Sequence, residues 1–190
     1  MESKNIMIVG VGGQGTLLAS KLLGRILLEN GYDVKVSEVH GMSQRGGSVV
    51  TYVRCGDKVY SPIIDKGEAD IIVSFELLEA ARWAEYLKEG GILLTNTQKF
   101  NPMPVITGAA EYPRALEQKL AALPIRLDAM DALGLALQAG SAKAVNLVLL
   151  GRLSRYFHFT DEQWQDAIEK SVPARFLELN KKAFSLGKEA

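Results

Sequence analysis

The sequence predicts a single α/β domain: a mainly parallel sheet carrying an inserted antiparallel β-hairpin, followed by a helical C-terminal region. Three observations carry this. Short apolar, β-rich runs alternate with amphipathic stretches as far as residue 128. A glycine run, Gly10-Val11-Gly12-Gly13-Gln14-Gly15, stands between a strand pattern and a helix pattern, the strand–turn–helix opening of a Rossmann-like fold. Beyond residue 128 only helical patterns remain. A length of 190 residues, set against about 150 for a typical domain, favours one domain over residues 1–190. Such a chain buries roughly 70% of its unfolded surface.

Residues 5–9 form the first predicted strand and residues 16–28 the first helix, with apolar residues at Leu17, Leu18, Leu22, Leu23, Ile26 and Leu27. Asn30-Gly31 stops that helix, and residues 34–38 make a second short strand, so the opening reads as a right-handed βαβ unit with parallel strands. Residues 40–47 have no periodicity and form a loop. Residues 48–54 and 58–61 flank Gly56-Asp57, a two-residue turn signal, and are expected to form the inserted hairpin. Alternation then resumes: strand 69–74, helix 77–89 stopped by Gly90-Gly91, and strand 92–95. Residues 101–113, rich in proline, are irregular; residues 114–123 form a helix and 125–128 the last strand. Helices 130–138 and 142–157 are apolar enough to cover a sheet face. Thr160 and Gln163 form a capping box for a helix to Ser171, and Pro173 opens a final helix to about Leu186.

Composition excludes several classes of function. Hydrophobic residues make up 47% and charged residues 23%, the balance of a globular protein. Lys plus Arg number 22 and Asp plus Glu 22, so no net field exists to hold nucleic acid. No apolar run approaches the roughly 20 residues of a membrane span, and the polar start with glycines from Gly10 is not a signal peptide. The expected location is the cytoplasm. A single cysteine, Cys55, leaves no internal disulfide, thiolate zinc site or four-cysteine cluster. No metal site and no catalytic residue is assigned.

The first glycine loop suits an anion, because glycines allow close approach and the helix start offers free N–H groups. Gly10, Gly12, Gly13, Gln14 and Gly15 are therefore candidate ligand- or interface-binding residues, together with Glu38, the acid a dinucleotide site wants at the end of the second strand. The plainer reading is that the glycines only let helix and strand pack closely. Thr16-Leu17 stands where a P-loop requires Lys-Ser/Thr, and the Gly-Asp-Gly…Asn-Asn signature for thiamine diphosphate is missing. A second loop places His40, Ser43, Gln44, Arg45, Gly46 and Gly47 beyond a strand end, where open α/β sheets bind ligands, and Gly12 to Gly15 and Ser43 to Arg45 are expected to approach each other there and to receive an anionic group or seat a partner loop. Arg45 is its best group for a carboxylate or phosphate, unless it pairs with Glu38 or Asp65. His40 has no identified partner and reads more readily as a structural hydrogen-bonder than as an acid or base.

The glycine run at 10–15 together with Glu38-Val39-His40-Gly41-Met42-Ser43-Gln44-Arg45-Gly46-Gly47-Ser48 resembles the gamma-type subunits of 2-oxoacid:ferredoxin oxidoreductases, and within them most of all the beta subunit of the indolepyruvate enzymes. The likeness continues through residues 58–62, 67–70, 101–105, 144–151 and 172–176. It implies a non-cofactor-bearing subunit of a complex that decarboxylates a 2-oxoacid, forms acyl-coenzyme A and reduces ferredoxin. Thiamine diphosphate and iron–sulfur clusters are then held by partner subunits, and coenzyme A occupies a shared cleft. The isolated chain is expected to be inactive, and a self-complementary face would let it form a homodimer. Two competing readings rest on the first loop alone: a stand-alone nicotinamide or flavin oxidoreductase, and a regulatory module for a small acid.

Overall fold

The computed structural model describes residues 2–38 and 46–190. At its centre is β1 (Lys4–Val11), whose Ile6, Met7, Ile8 and Val9 are fully buried because both faces of the strand are covered. The remaining strands are β2 (Asp33–Glu38), β3 (Ser48–Gly56), β4 (Ala69–Ser74), β5 (Leu87–Asn96) and β6 (Arg126–Met130), in the sheet order β2-β3-β1-β4-β5-β6. β1, β4, β5 and β6 pair in parallel, while β3 runs antiparallel to both β1 and β2.

The expected inserted hairpin is present with a different partner. β3 pairs with β2, Glu38 opposite Thr51 and Asp33 opposite Gly56, so its antiparallel partner is the strand before it and not a strand after Gly56-Asp57. Residues 58–61 form no strand. Both edges of β3 are already taken, by β2 and by β1. The chain after Gly56 is instead held as a loop, with Val59 N–H donating to Asp33 Oδ2 (2.8 Å) and the Arg54 guanidinium to the carbonyls of Ser61 (3.3 Å) and Ile63 (2.8 Å). β1 and β2 therefore point the same way without touching, one strand apart.

Alternate residues of the sheet feed two cores. Ile6, Ile8, Val53, Ile71, Val73 and Leu94 face α1 (Thr16–Glu29), α5 (Ala132–Ala139) and α6 (Val145–Ser154), backed by α7 (Asp161–Ser171) and α8 (Leu177–Glu189). Met7, Val9, Val50, Ile72 and Leu93 face α2 (Leu77–Trp83) and α4 (Leu116–Ala121). The helix expected over 77–89 ends early. After a 3-10 turn at Ala84–Tyr86, Leu87 already pairs with Ala69, and the register slips before Ile92 meets Ile71. Gly90 sits at φ +72° in that bulge. The irregular stretch 101–113 contains one short helix, α3 (Met103–Ile106). The capping box of Thr160 and Gln163 forms as expected, and Pro173 precedes a 3-10 turn that leads into α8.

Candidate functional site

The carboxyl ends of β1, β2, β4, β5 and β6 share one edge of the sheet with the amino end of β3. α1 and α2 leave β1 and β4 towards opposite faces, so the crevice between these two strands is the topological switch point where such sheets take ligands. The glycine loop lies on it. Gln14 braces the loop from within: its Oε1 accepts from Val11 N–H (2.7 Å) and its Nε2 donates to the Phe75 carbonyl (3.2 Å). Gly10 is required by this brace, since a Cβ there would lie 2.8 Å from Gln14 Oε1 and 3.0 Å from Phe75 Cβ. Gly15 turns into α1 at φ +90° beneath Asn146, whose amide donates to the Gly15 carbonyl (3.4 Å). Gly13, by contrast, faces open space.

The two glycine loops meet. Gly12 N–H donates to the Gly47 carbonyl (2.9 Å) and Gly46 N–H to the Gly12 carbonyl (3.3 Å), extending the β1–β3 ladder past Val11 and Ser48. A cleft of about 300 Å³ on one side of the loop is lined by Gly12, Gly13, Gly15, Thr16, Glu38 and Thr51. Glu38 accepts there from the Ser20 hydroxyl (2.8 Å). A cleft of about 610 Å³ on the other side is lined by the same glycines with Gln98, Phe100, Leu133 and Lys143. The candidates His40, Ser43, Gln44 and Arg45 lie outside the described residues.

Sequence reasoning missed the acids behind this edge. Glu76, only 1% exposed, caps α2 by accepting from Glu79 N–H (2.8 Å); it also accepts from Phe100 N–H (3.0 Å) and the Tyr112 hydroxyl (2.6 Å). Glu79, 5% exposed, accepts from the Ser48 hydroxyl (2.5 Å) and faces Arg82 Nε (3.3 Å). Burial pushes the Glu79 carboxyl up, against the pull of Ser48 and Arg82, and burial beside Glu76 also pushes the Tyr112 phenol up. The available signal was an acid immediately after a buried strand, followed by another one helical turn on. Asn96 completes the edge, accepting from Ala132 N–H (3.2 Å) and donating to the Phe75 carbonyl (3.2 Å).

The donor set does not fit an iron–sulfur cluster. Cys55 is the only cysteine, it is buried on β3, and its thiol donates to the Lys4 carbonyl (3.7 Å). Burial raises its pKa, which disfavours the thiolate a metal needs. Among the described residues no group of three or more His, Cys, Asp and Glu could hold a metal ion, and no helix is long and apolar enough to cross a membrane.

Residues 5–190 match the family model described as pyruvate ferredoxin/flavodoxin oxidoreductase. The chain belongs to this family. Over its full length it is 45% identical to the indolepyruvate oxidoreductase subunit IorB of Thermococcus kodakarensis, covering 96% of that protein. It is 28% identical, over 92% of its length and 89% of the relative's, to the common gamma subunit of the pyruvate/ketoisovalerate oxidoreductases of the same organism. The crystal structure of the pyruvate oxidoreductase subunit PORC of Thermotoga maritima superposes with a TM-score of 0.76 at 26% identity, covering 100% of this chain and 97% of that one. The same fold, at 18% identity and TM-score 0.76, makes up 31% of a chain of the 2-oxoglutarate:ferredoxin oxidoreductase of Magnetococcus marinus, while covering all of this one. That structure was determined with 2-oxoglutarate, coenzyme A and succinyl-CoA bound. Within the family this chain is an accessory, gamma-type subunit of a 2-oxoacid:ferredoxin oxidoreductase.

Proposed function

We propose that the chain is the IorB-type subunit of a cytoplasmic indolepyruvate:ferredoxin oxidoreductase. It docks on the catalytic subunit through the carboxyl edge of its sheet, where the two glycine loops help to close the cleft for coenzyme A. The observation that carries the substrate class is the end-to-end 45% identity to an indolepyruvate subunit, against 28% to the pyruvate/ketoisovalerate one. The pairing of Gly12 with Gly46 and Gly47 supports a joint role for the loops, because it binds both into one surface.

In this reading thiamine diphosphate and the iron–sulfur clusters reside on partner subunits and supply decarboxylation and electron transfer, with ferredoxin reached through the complex. This chain supplies shape and charge. Gly13 leaves room for a ligand to approach the backbone. Arg45, next to Gly46 in sequence, brings a fixed positive charge for a carboxylate or phosphate. The nicotinamide reading loses support because β3 separates β2 from β1, setting Glu38 two strand spacings, about 10 Å, from β1.

The test is to tag the chain in its host, purify it anaerobically, and assay the eluate for thiamine diphosphate, iron, sulfide and 2-oxoacid-dependent reduction of a low-potential dye. A co-purifying cofactor-bearing partner with kcat/KM highest for indolepyruvate or phenylpyruvate is expected. Preference for pyruvate or 2-oxoglutarate would overturn the substrate class. Recovery of the chain alone would overturn the subunit reading.

A further inference from the structure

Two acids are buried one turn apart on α2, and helix capping explains only part of what they do. Glu76 Oε2 caps the helix through Glu79 N–H, while Glu76 Oε1 accepts from Phe100 N–H and the Tyr112 hydroxyl, gripping both ends of the segment that contains α3. Glu79 caps nothing. Its Oε2 accepts from Ser48, the first residue of β3, directly after the Gly46 and Gly47 that pair with Gly12. Burying two carboxyls so close is costly even with Arg82 facing Glu79, and the helix does not need them, being already anchored by Leu77 and Ala80 in the core. A carboxylate only accepts, through two oxygens, so it suits a post onto which donors from separate loops converge.

The geometry points to Glu76 and Glu79 as positioning residues that tie two separate loops of the carboxyl edge, 46–48 and 100–112, to one helical turn and so hold the coenzyme A cleft in a single arrangement. This rests on the functional reading above, which makes that edge part of the cleft. The chain of contacts is continuous: Tyr112 to Glu76, Glu76 to the Glu79 backbone, Glu79 to Ser48, and from there to Gly12. Neither acid needs to touch a substrate.

The experiment compares S48A, S48T, Y112F and S48A/Y112F in the reconstituted complex, titrated with coenzyme A, and measures amide exchange at Gly12 and Gly46 in the isolated chain. S48A is expected to raise KM for coenzyme A about tenfold, the effect of losing one hydrogen bond to a charged group, with kcat within about twofold. S48T, which keeps the hydroxyl, is expected to restore KM. The double variant should raise KM by less than the product of the single effects, because both act on one connected pair. Exchange at Gly12 and Gly46 should quicken in S48A and return to normal in S48T. Equal exchange in all four variants and the wild type overturns the positioning role whatever the complex does. Quickened exchange with an unchanged KM overturns its link to the cleft. A wild-type complex without coenzyme A dependence is different again: it overturns the functional reading and leaves the exchange result to decide the positioning role.

Discussion

Gly15 and Gly13 both sit at positive φ in the loop between β1 and α1, yet they differ in what surrounds them. A side chain at Gly15 would meet the Asn146 amide at 2.9 Å, whereas one at Gly13 would meet nothing within 4 Å. Left-handed backbone costs an L-residue about 1–2 kcal/mol wherever it occurs. G13A should therefore lose about 1 kcal/mol in urea unfolding, and G15A roughly twice that, because Asn146 must also release the Gly15 carbonyl. Equal midpoints for the two variants would contradict the Asn146 contact. The second residue-scale prediction concerns Asp128, which receives Arg152 Nε and Nη2 at 2.8–3.0 Å and the Tyr156 hydroxyl at 2.6 Å. Burial alone pushes its carboxyl up, but these hydrogen bonds and the charges of Arg152 and Arg155 outweigh that and hold it below the ordinary range. Burial first, then the hydrogen bond to Asp128 and its charge, push the Tyr156 phenol to about 12 against the opposing pull of Arg152 and Arg126. A depressed carboxylate contributes its stability in full above the unfolded value of about 3.9 and loses it as pH falls through the lower folded value. D128N should cost roughly 3 kcal/mol at pH 7, and its gap from wild type should narrow as pH falls below about 4, the unfolded value; a constant gap would contradict the ion pair. At this scale the glycines were legible because their spacing is itself a pattern. The buried Glu76 and Glu79 and the partly buried Asp128 were not, because such an acid reads as a surface acid until its donors are in place.

Among elements, the strands with apolar β-branched cores, β1, β3 and β4, and the long helices α1 and α7 were readable from local pattern. The pairing of β3 was not. Val49 to Val53 shows that the segment is a strand, but which edges it occupies depends on β2 and β1 both accepting it. Gly56-Asp57 carries the local signature of a hairpin turn, yet the strand that would have followed had no free edge to join. Leu87–Glu89 similarly continues a helical pattern until Ala69 claims Leu87 for the sheet. The crossing of α6 and α8 is a further feature that only tertiary structure reveals. A Cβ on Gly151 would come within 2.0 Å of the Phe184 carbonyl oxygen, and one on Gly187 within 1.9 Å of the Val148 carbonyl oxygen, so backbone packs on backbone there. α6 is consequently buried at every position but Arg152. G151A and G187A should each destabilise by about 3 kcal/mol, because relief requires moving a whole helix and not one rotamer. Calorimetry of both variants checks this, and a melting temperature within a degree of wild type for either would contradict the close crossing.

For the whole molecule, the two cores use nearly all of the sheet, and what is left for function is the carboxyl edge, whose described residues offer backbone amides, buried acids and half-exposed side chains with no redox-active group among them. The division of labour proposed for the complex follows from this inventory: a chain with equal numbers of acidic and basic residues and one buried thiol has the means to shape a cleft and none to hold a cluster. The expectation of cofactors on partner chains rests on cysteine count and loop motifs, and the expected approach of the two loops on their shared strand-end position, neither of which needs coordinates; what only the fold shows is that β3 lies beside β1 and pairs Gly12 with Gly46 and Gly47. The prediction at this scale is that the isolated chain, incubated anaerobically with iron, sulfide and thiamine diphosphate and then desalted, retains none of the three above background, while the complex purified from the host retains all of them. A parallel fluorescence titration with NADH should show no saturable binding up to about 1 mM, a free energy weaker than about −4 kcal/mol. Cluster absorbance in the isolated chain would mean that thiols are contributed between copies of it, one Cys55 from each, which requires β3 to open because that thiol is buried against Lys4. Saturable NADH binding would instead mean that Glu38 reaches the glycine loop across the width of β3, and the cleft shared by Glu38, Gly12 and Gly15 would then have to be treated as a dinucleotide site despite the displaced strand.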